Sequence, residues 1–477
     1  MPLFTPGRRY QPAFRPFRRE RFSRRVLASI ERTVKGTLFG CRMCGNCLLQ
    51  ETAFICPMEC PKGMRNGPCG GSSVDGCYVD PSRPCIWYKI YERSFRMGRE
   101  EHLMEVLPPL DWSRTGKETW DEVFSNIKKE GFLRFIRLFL PRNKEAKAVT
   151  SERIFDAIRQ PHWWQGDSDY HEKTHNQPVS DLEKELKSGK FVVTSEITPP
   201  MGTSTGKLLR DIAMMKSKVT ALNFTDNASA CSRMSSLAAC KISVDQGLEP
   251  VLQIASRDEN RIGLQSQVIG AAALGIRNIL CVSGDSPLTG PDPAGNMNIL
   301  DLDAIQMLWI LRRMRDEGVY LDGRKIKYPP GYFLGAAASP YASDAKFQAL
   351  REHKKVNAGA QFLQTNLIFD IEGLDKWLEE LYKRDVLGKV YILAGVAPLK
   401  NIKIARYMNS NIPGVTVPER YIRRFEEHHE CSSESIGKDM AVELINSIKQ
   451  KQGINGVHIM PVGWESVVPQ LIEECKL

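Results

Sequence analysis

From about residue 189 onward, short apolar runs alternate with amphipathic stretches, and this beat constrains the fold more than any other feature of the chain. The runs are 190–197 (KFVVTSEI), 219–225 (VTALNFT), 250–255 (PVLQIA), 277–283 (RNILCVS), 331–337 (GYFLGAA), 363–369 (LQTNLIF), 390–396 (VYILAGV) and 456–460 (GVHIM). Each has the length of a strand, and helical patterns lie between them at 204–217, 260–274, 302–317, 344–357, 372–386 and 437–451. Eight strands alternating with helices over the rest of the chain is the count and length of an α/β fold of the (β/α)8 TIM-barrel type. The rival, a doubly wound open sheet, wants a G-x-G-x-x-G turn after its first strand, and that fingerprint is missing.

A barrel of this kind concentrates its chemistry at the C-terminal ends of the strands. The polar residues there are Glu196 and Thr198, Thr225-Asp226-Asn227, Gln253 and Ser256, Ser283-Gly284-Asp285, and Asn366. A single Asp at such a place is more often a helix cap than a catalyst. Glu196 rises above that baseline: it lies inside an apolar strand followed by Pro199-Pro200, where partial burial raises a carboxyl pKa and suits a general acid near neutral pH. Asp285 is the second carboxylate of the mouth. The run GAAAS (335–339), which contains Ala337, offers backbone without bulk for a flat ring. Lys355 is a cation for a phosphate, with a solvated helix lysine as the bland alternative.

The residues ahead of the barrel are of another kind. Of thirteen cysteines, eight fall between positions 41 and 85: Cys41, Cys44, Cys47, Cys56, Cys60, Cys69, Cys77 and Cys85. No histidine precedes His102, so a metal held here would be bound by thiolates alone, and eight ligands suffice for two four-cysteine sites. Disulfides are disfavoured in a large chain that shows no secretion signal. Structural zinc takes four thiolates, usually as two separated pairs. Cys41-x2-Cys44-x2-Cys47 has instead the triple spacing of ferredoxins, in which one loop wraps three corners of a [4Fe-4S] cube. The fourth cysteine of that pattern precedes a proline, and both Cys56-Pro57 and Cys60-Pro61 qualify. The spacing therefore favours an iron–sulfur cluster, with zinc as the alternative.

Charge marks a third region. Residues 1–35 hold ten Lys or Arg against two Glu, which is +8 of the chain's net +10. A basic arm on a near-neutral body excludes a nucleic-acid-binding reading of the whole chain. The arm suits an acidic partner protein or a membrane surface, or is a solvated tail. An Arg-rich start also mimics an organelle transit peptide, which ranks below a cytoplasmic location. No apolar run is long enough for a transmembrane helix. The expected organisation is a basic arm over 1–35, a cysteine-rich domain over 36–140 with a helical extension from 86, a linker over 141–188, and the barrel over 189–477. The oligomeric state stays open, a homo-oligomer included.

The motifs SEITPP (195–200), NFTDNA (223–228), QIASRDENRIGLQSQVIGAAALGIRNILCVSGDSP (253–287), DLDAIQML (301–308) and KKVNAGAQFLQTNLIFD (354–370) resemble the flavin barrel of methylenetetrahydrofolate reductase. The segment CRMCGNC…CPMECPKGMRNGPCGG…PCIW (41–87) looks like the cysteine-rich domain that is a separate partner subunit in the reductases of acetogenic bacteria, here fused ahead of the barrel. The resemblance implies hydride transfer from a reduced flavin, FAD or FMN, to 5,10-methylenetetrahydrofolate, giving 5-methyltetrahydrofolate. It implies that Glu196 is the general acid that protonates the folate amine and that Asp285, beside the flavin, binds the pterin. It places Thr225, Gln253, Ser283, Gly284, Ala337 and Lys355 where the family holds the flavin ring and its phosphate. Asn366 stands where many members carry a pterin-binding glutamine. Gln253 and Ala338 replace a histidine and a tyrosine found near the flavin in bacterial enzymes that use NADH, which speaks against direct NADH use here. Electrons would then come from a ferredoxin-like donor or a multi-subunit redox complex through the cluster or clusters, with the basic arm docking an acidic donor. Two alternatives stand beside this: a non-catalytic electron-transfer or assembly subunit, and an NADH-dependent reductase with a structural zinc domain.

Overall fold

The computed structural model describes residues 22–120, 167–172, 177–292, 300–341, 343–411, 415–427 and 432–477. Residues 1–21 of the expected arm, 121–140 of the helical extension, and 141–166 and 173–176 of the linker lie outside the described residues. The chain divides into two compact units, Met1–Pro68 with Pro84–Asp167, and Cys69–Arg83 with Ser168–Leu477. The excursion Cys69–Arg83 thus belongs with the barrel, although its sequence reads as part of the cysteine-rich region.

In the first unit, helix α1 (Phe22–Phe39) ends at Gly40, whose φ of +60° a glycine adopts without strain. Residues 22–35 of the expected basic arm are thus helical. Glu31 and Lys35 of α1 are buried and paired at 2.5 Å, and the Glu31 carboxylate also accepts the backbone N–H of Thr119 at 2.8 Å and its hydroxyl at 2.6 Å. Charges leave water only when satisfied in this way. The next turns coil tightly, with positive φ at Met43, Gly45, Ala53 and Phe54. At Gly45 a side chain is impossible, because a Cβ would stand 2.0 Å from the Arg114 carbonyl oxygen. Helix α2 (Ile86–Arg96) buries Trp87, Tyr88, Ile90 and Tyr91. Of the helical extension expected over 86–140, the described residues show α2, and 121–140 lie outside them. Gly98 turns left-handed after α2, and short 3-10 turns follow at Glu100–Met104 and Trp112–Arg114 around the helix-breaking pair Pro108-Pro109.

The second unit is a closed parallel barrel of eight strands in sequence order. They are β1 (Val192–Ile197), β2 (Ala221–Phe224), β3 (Pro250–Ala255), β4 (Asn278–Val282), β5 (Phe333–Ala338), β6 (Phe362–Leu367), β7 (Tyr391–Val396) and β8 (Gly456–Ile459). All eight coincide with the apolar runs of the sequence. Because side chains alternate along a strand, every second residue faces inward. Val192, Ala221, Val251, Leu280, Phe333, Phe362 and Leu393 form one apolar layer. Helix α3 (Asp181–Lys187), N-capped by Ser180, adds Leu182 and Leu186 to it, so the barrel unit takes in residues expected to be linker. Gly335 leaves the space that the Phe362 ring fills, since a Cβ there would lie 2.2 Å from that ring.

Two residues further along the strands the interior turns polar. Asn223 Nδ2 donates to Gln364 Oε1 at 2.8 Å, and Thr194 Oγ1 lies 2.9 Å from His458 Nδ1. Continuing the alternation leads to Glu196, Thr225, Gln253, Gly284 and Ala337, and to Asn366 within a register shift between Gln364 and Leu367. Among the described residues, no helix is long and apolar enough to cross a membrane.

Candidate active site at the barrel mouth

Glu196 occupies the last inward position of β1, its side chain 21% exposed. Its neighbour is set by the closure of the barrel: Thr194 and His458 are register partners across β1 and β8, so His458 faces inward beside Glu196. His458 is fully buried, with Nε2 3.5 Å from Glu196 Oε2 while Nδ1 meets the Thr194 hydroxyl. An imidazole fixed by a hydroxyl at one nitrogen presents the other to the carboxylate. The sequence reading missed His458, although a lone histidine on the inward parity of GVHIM was a usable sign.

Asp285 follows β4. Its Oδ2 accepts the Ser229 N–H at 2.8 Å, and its Oδ1 lies 3.4 Å from the Tyr78 hydroxyl. Arg257 braces the same rim, donating Nη1 to the Asp285 carbonyl at 3.2 Å and Nη2 to the Asn227 carbonyl at 3.2 Å, and pairing through Nε with Asp258 at 2.7 Å. Burial is the main force raising the carboxyl pKa of Asp226, and Asp258 adds to it. Burial likewise lifts Glu259 to about 7, helped by Asp226 and Asp258. Neither Tyr78 nor Arg257 was legible as a site residue; Tyr78 is separated from Asp285 by 207 positions.

The other expected residues gather around the same mouth. Thr225 is buried, and its hydroxyl has no hydrogen-bond partner among the described residues. Gln253 is buried on β3, and Ser283 gives its carbonyl to Ser256 Oγ at 3.3 Å. Gly284 has φ +74°, and a Cβ there would stand 3.1 Å from Ala255 and Arg257. Lys355, on the helix Ala345–Asn357, is buried rather than presented to solvent. Its ammonium pairs with Glu352 at 2.6 Å and donates to the Ala337 carbonyl, and burial, with Arg351 nearby, lowers its pKa to about 8. Asn366 turns its Oδ1 back to the Leu367 N–H at 2.8 Å.

The cysteines separate into groups. Cys41, Cys44, Cys47 and Cys56 line one cavity in the first unit, together with Lys35, Glu31, Arg65 and Met58. Lys35 Nζ is 3.7 Å from Cys47 Sγ. Burial pushes the Cys47 thiol up to about 11 and Cys56 up to about 12, the latter also through the nearness of Cys44 and Cys41. Cys60 and Cys85 are buried in the same unit, whereas Cys69 and Cys77 fall within the barrel unit. The described cysteines form no disulfide. Among the described residues, no three Cys, His, Asp or Glu are drawn together as a single-ion site.

Comparison with known proteins fits this geometry. The family model described as methylenetetrahydrofolate reductase matches residues 181–476, and one described as methylene-tetrahydrofolate reductase C terminal matches residues 22–113, which here precede the barrel. The probable methylenetetrahydrofolate reductase (NADPH) of Caenorhabditis elegans is 21% identical over 234 residues, 48% of this chain, and the chain spans only 33% of that relative's length. The 5,10-methylenetetrahydrofolate reductase of Pectobacterium carotovorum subsp. carotovorum is 22% identical over 289 residues, 59% of this chain and 88% of that protein. Among solved structures, an uncharacterised protein from Clostridium thermocellum that binds two copies of 5-methyl-5,6,7,8-tetrahydrofolic acid superposes with a TM-score of 0.44 at 15% identity, covering 62% of this chain and 100% of that one. With the first model spanning the whole barrel and more than half of the sequence, the chain belongs to the methylenetetrahydrofolate reductase family, a family of oxidoreductases.

Proposed function

We propose that the protein reduces 5,10-methylenetetrahydrofolate to 5-methyltetrahydrofolate with a flavin seated in the barrel mouth, and that electrons reach this flavin through iron bound by the N-terminal thiolates. The observation that carries the reading is the largely buried Glu196, backed by the buried His458, at the mouth of a barrel matched by the reductase family. The mouth fits a flavin on its own terms. It holds a buried threonine hydroxyl without a partner among the described residues, a left-handed glycine where a Cβ would crowd Ala255 and Arg257, and small residues along β5. Thr225, Gln253, Ser283, Gly284, Asp285 and Ala337 would hold the ring. Lys355 would fix the end of β5 beneath it, and a phosphate there would compete with Glu352 for the ammonium.

When bound, the flavin supplies the hydride. The protein's share is proton transfer and positioning. The Glu196 carboxyl donates its proton to the folate amine nitrogen, whose bond to the bridging carbon opens and leaves that carbon electrophilic. His458 keeps the resulting carboxylate aimed at the nitrogen. Asp285 and Asn366 accept or donate along the pterin edge.

The cavity walled by Cys41, Cys44, Cys47 and Cys56 suits a [4Fe-4S] cluster. The triple Cys41, Cys44, Cys47 has the spacing of ferredoxins, whereas a structural zinc usually takes two separated cysteine pairs. In this reading the fused cysteine-rich domain corresponds to the acetogen-type partner subunit, the donor is a ferredoxin-like protein or a multi-subunit redox complex, and the setting is cytoplasmic.

The test is anaerobic purification with flavin, iron, sulfide and zinc quantified, followed by dye-driven reduction of methylenetetrahydrofolate. Flavin with iron and sulfide, and formation of 5-methyltetrahydrofolate, are expected. Iron without flavin would make the chain an electron-transfer or assembly subunit. Zinc without iron or sulfide, with turnover on NADH, would make the N-terminal region a structural zinc domain.

A further inference from the structure

A carboxylate turns easily about its last side-chain bond, because that torsion joins sp3 to sp2 carbon and has a broad, two-fold profile. At Asp285 both oxygens are anchored, and by separate parts of the chain. Ser229, which holds Oδ2, lies in a turn where Asn227, Ser229 and Ala230 all have positive φ, at +43°, +59° and +53°. Three non-glycine residues in the left-handed region store strain that surrounding contacts must hold, a feature that gathers at functional sites. The second anchor, Tyr78, comes from the excursion Cys69–Arg83.

That excursion is built to present the tyrosine. The Ser73 N–H bonds to the Gly76 carbonyl at 3.0 Å and the Cys77 N–H to the Arg83 carbonyl at 2.9 Å, closing two small turns. The buried Ser72 hydroxyl accepts the Tyr78 N–H at 3.0 Å and lies 3.3 Å from Cys69 Sγ. Gly70 seats the loop against the end of β5, since a Cβ there would stand 2.9 Å from Ser339 Oγ. The phenol is half-buried, with its hydroxyl directed at Asp285 Oδ1.

We infer that Tyr78 is a positioning residue of the folate site, and that a segment from the cysteine-rich part of the sequence completes the mouth of the barrel. This rests on the reading of Asp285 as the pterin acceptor. A pterin presents two parallel N–H donors along its amino-pyrimidinone edge, and an ionised carboxylate offers about four lone-pair sites. With one site on each oxygen taken by Ser229 and Tyr78, one on each remains, and the plane of the group is fixed for two parallel bonds. Without the phenol hydroxyl, Oδ1 loses its anchor and the plane is held from one side only.

The experiment compares Tyr78→Phe, Asp285→Asn and the double variant, each purified with flavin and iron quantified. Binding of 5-methyltetrahydrofolate to the reduced holoprotein is measured by calorimetry, and steady-state constants with an artificial donor. Tyr78→Phe keeps the ring and its packing. It is expected to weaken binding roughly tenfold, the size of one hydrogen bond to a charged group, and to raise KM for methylenetetrahydrofolate by a similar factor. Its kcat and its flavin and iron contents should stay unchanged. The double variant should bind no more weakly than Asp285→Asn alone. If Asp285→Asn weakens binding and Tyr78→Phe does not, the Tyr78 inference fails while the Asp285 reading stands. If Asp285→Asn binds normally, the reading of the site itself fails. Full additivity in the double variant would show Tyr78 acting apart from Asp285 and would also overturn the inference.

Discussion

The two units are held together by different means. The barrel repeats one device eight times: alternating strands place an apolar layer at one end, a polar layer in the middle and functional groups at the other end. The first unit has no sheet among its described residues, and to an apolar core that includes Trp87, Tyr88, Ile90 and Tyr91 it adds the buried charges of Glu31, Lys35, Glu51, Lys62, Arg65 and Arg99. A core made of apolar layers stands without any ligand. If the four clustered thiols of the first unit hold iron, as proposed, its metal binding and its folding are one equilibrium. On the proposed reading, chemistry on the substrate falls to the barrel and electron delivery to the first unit.

The sharpest way to break that division is at Glu196. Glu196→Gln keeps the shape and removes the transferable proton, so folate turnover should fall by about 10²–10⁴-fold. Flavin content and dye-driven flavin reduction should be unchanged. Steady-state assay beside flavin absorbance checks both, and normal turnover would end the general-acid role. The next largest effect belongs to the other unit. Cys44→Ala should lower iron and sulfide per chain and abolish reduction by a ferredoxin-type donor, while dye-driven folate reduction stays within about twofold, since an artificial donor bypasses clusters. Equal loss of both activities would mean that the thiols serve structure alone.

How far each unit could be read from sequence follows from the same contrast. The strands of the barrel were legible because periodicity is local: VVTSEI or PVLQIA shows its pattern within six residues. Parity then carried Glu196, Thr225, Gln253 and Ala337 to one inner face. His458 was missed because its role arises only when β8 closes against β1, a pairing across 264 positions. Tyr78 was missed for the same reason on another scale, and so was the membership of Cys69–Arg83 in the barrel unit. In the first unit, the spacing grouped Cys41, Cys44 and Cys47, while the choice between Cys56 and Cys60 as the fourth cysteine beside them was not legible; it is Cys56 that lines their cavity. The burial of Glu31 and Lys35 did not show, because charged residues on an amphipathic helix ordinarily face water. Lys355 was singled out as a cation for a phosphate, but the burial of its ammonium against Glu352 did not show in the sequence.

A smaller effect sharpens the barrel side. His458→Asn removes the imidazole beside Glu196, and turnover should fall roughly tenfold, the worth of one hydrogen bond to a charged group. Thr194→Val should act in the same direction and less strongly, because it touches only the far nitrogen of the imidazole. Since neither residue lies in the first unit, iron content and donor-driven reduction of the flavin should not move. A loss of flavin in either variant would indicate collapse of the polar layer rather than misaimed proton transfer.

The smallest effect tests the first unit through its buried charge. Burial pushes the Glu51 carboxyl up to about 8, with Glu105 adding to the rise and Arg99 and Arg65 opposing it. In the unfolded chain this group ionises near its ordinary value of 4.5. Between these limits the unfolded state releases its proton while the folded state keeps it. The contribution of Glu51 to stability is therefore fully present below the lower limit and drains away as pH rises toward the upper one. Glu51→Gln removes the titration and keeps the shape. The melting temperature of the variant, set against the parent at several pH values, should show a stabilisation that is absent at the acid end of the window and grows to a few degrees at its alkaline end. The catalytic constants of the barrel should be untouched. A difference that is the same at every pH would mean that Glu51 is ionised in the folded unit, held by Arg65 and Arg99 as a paired charge.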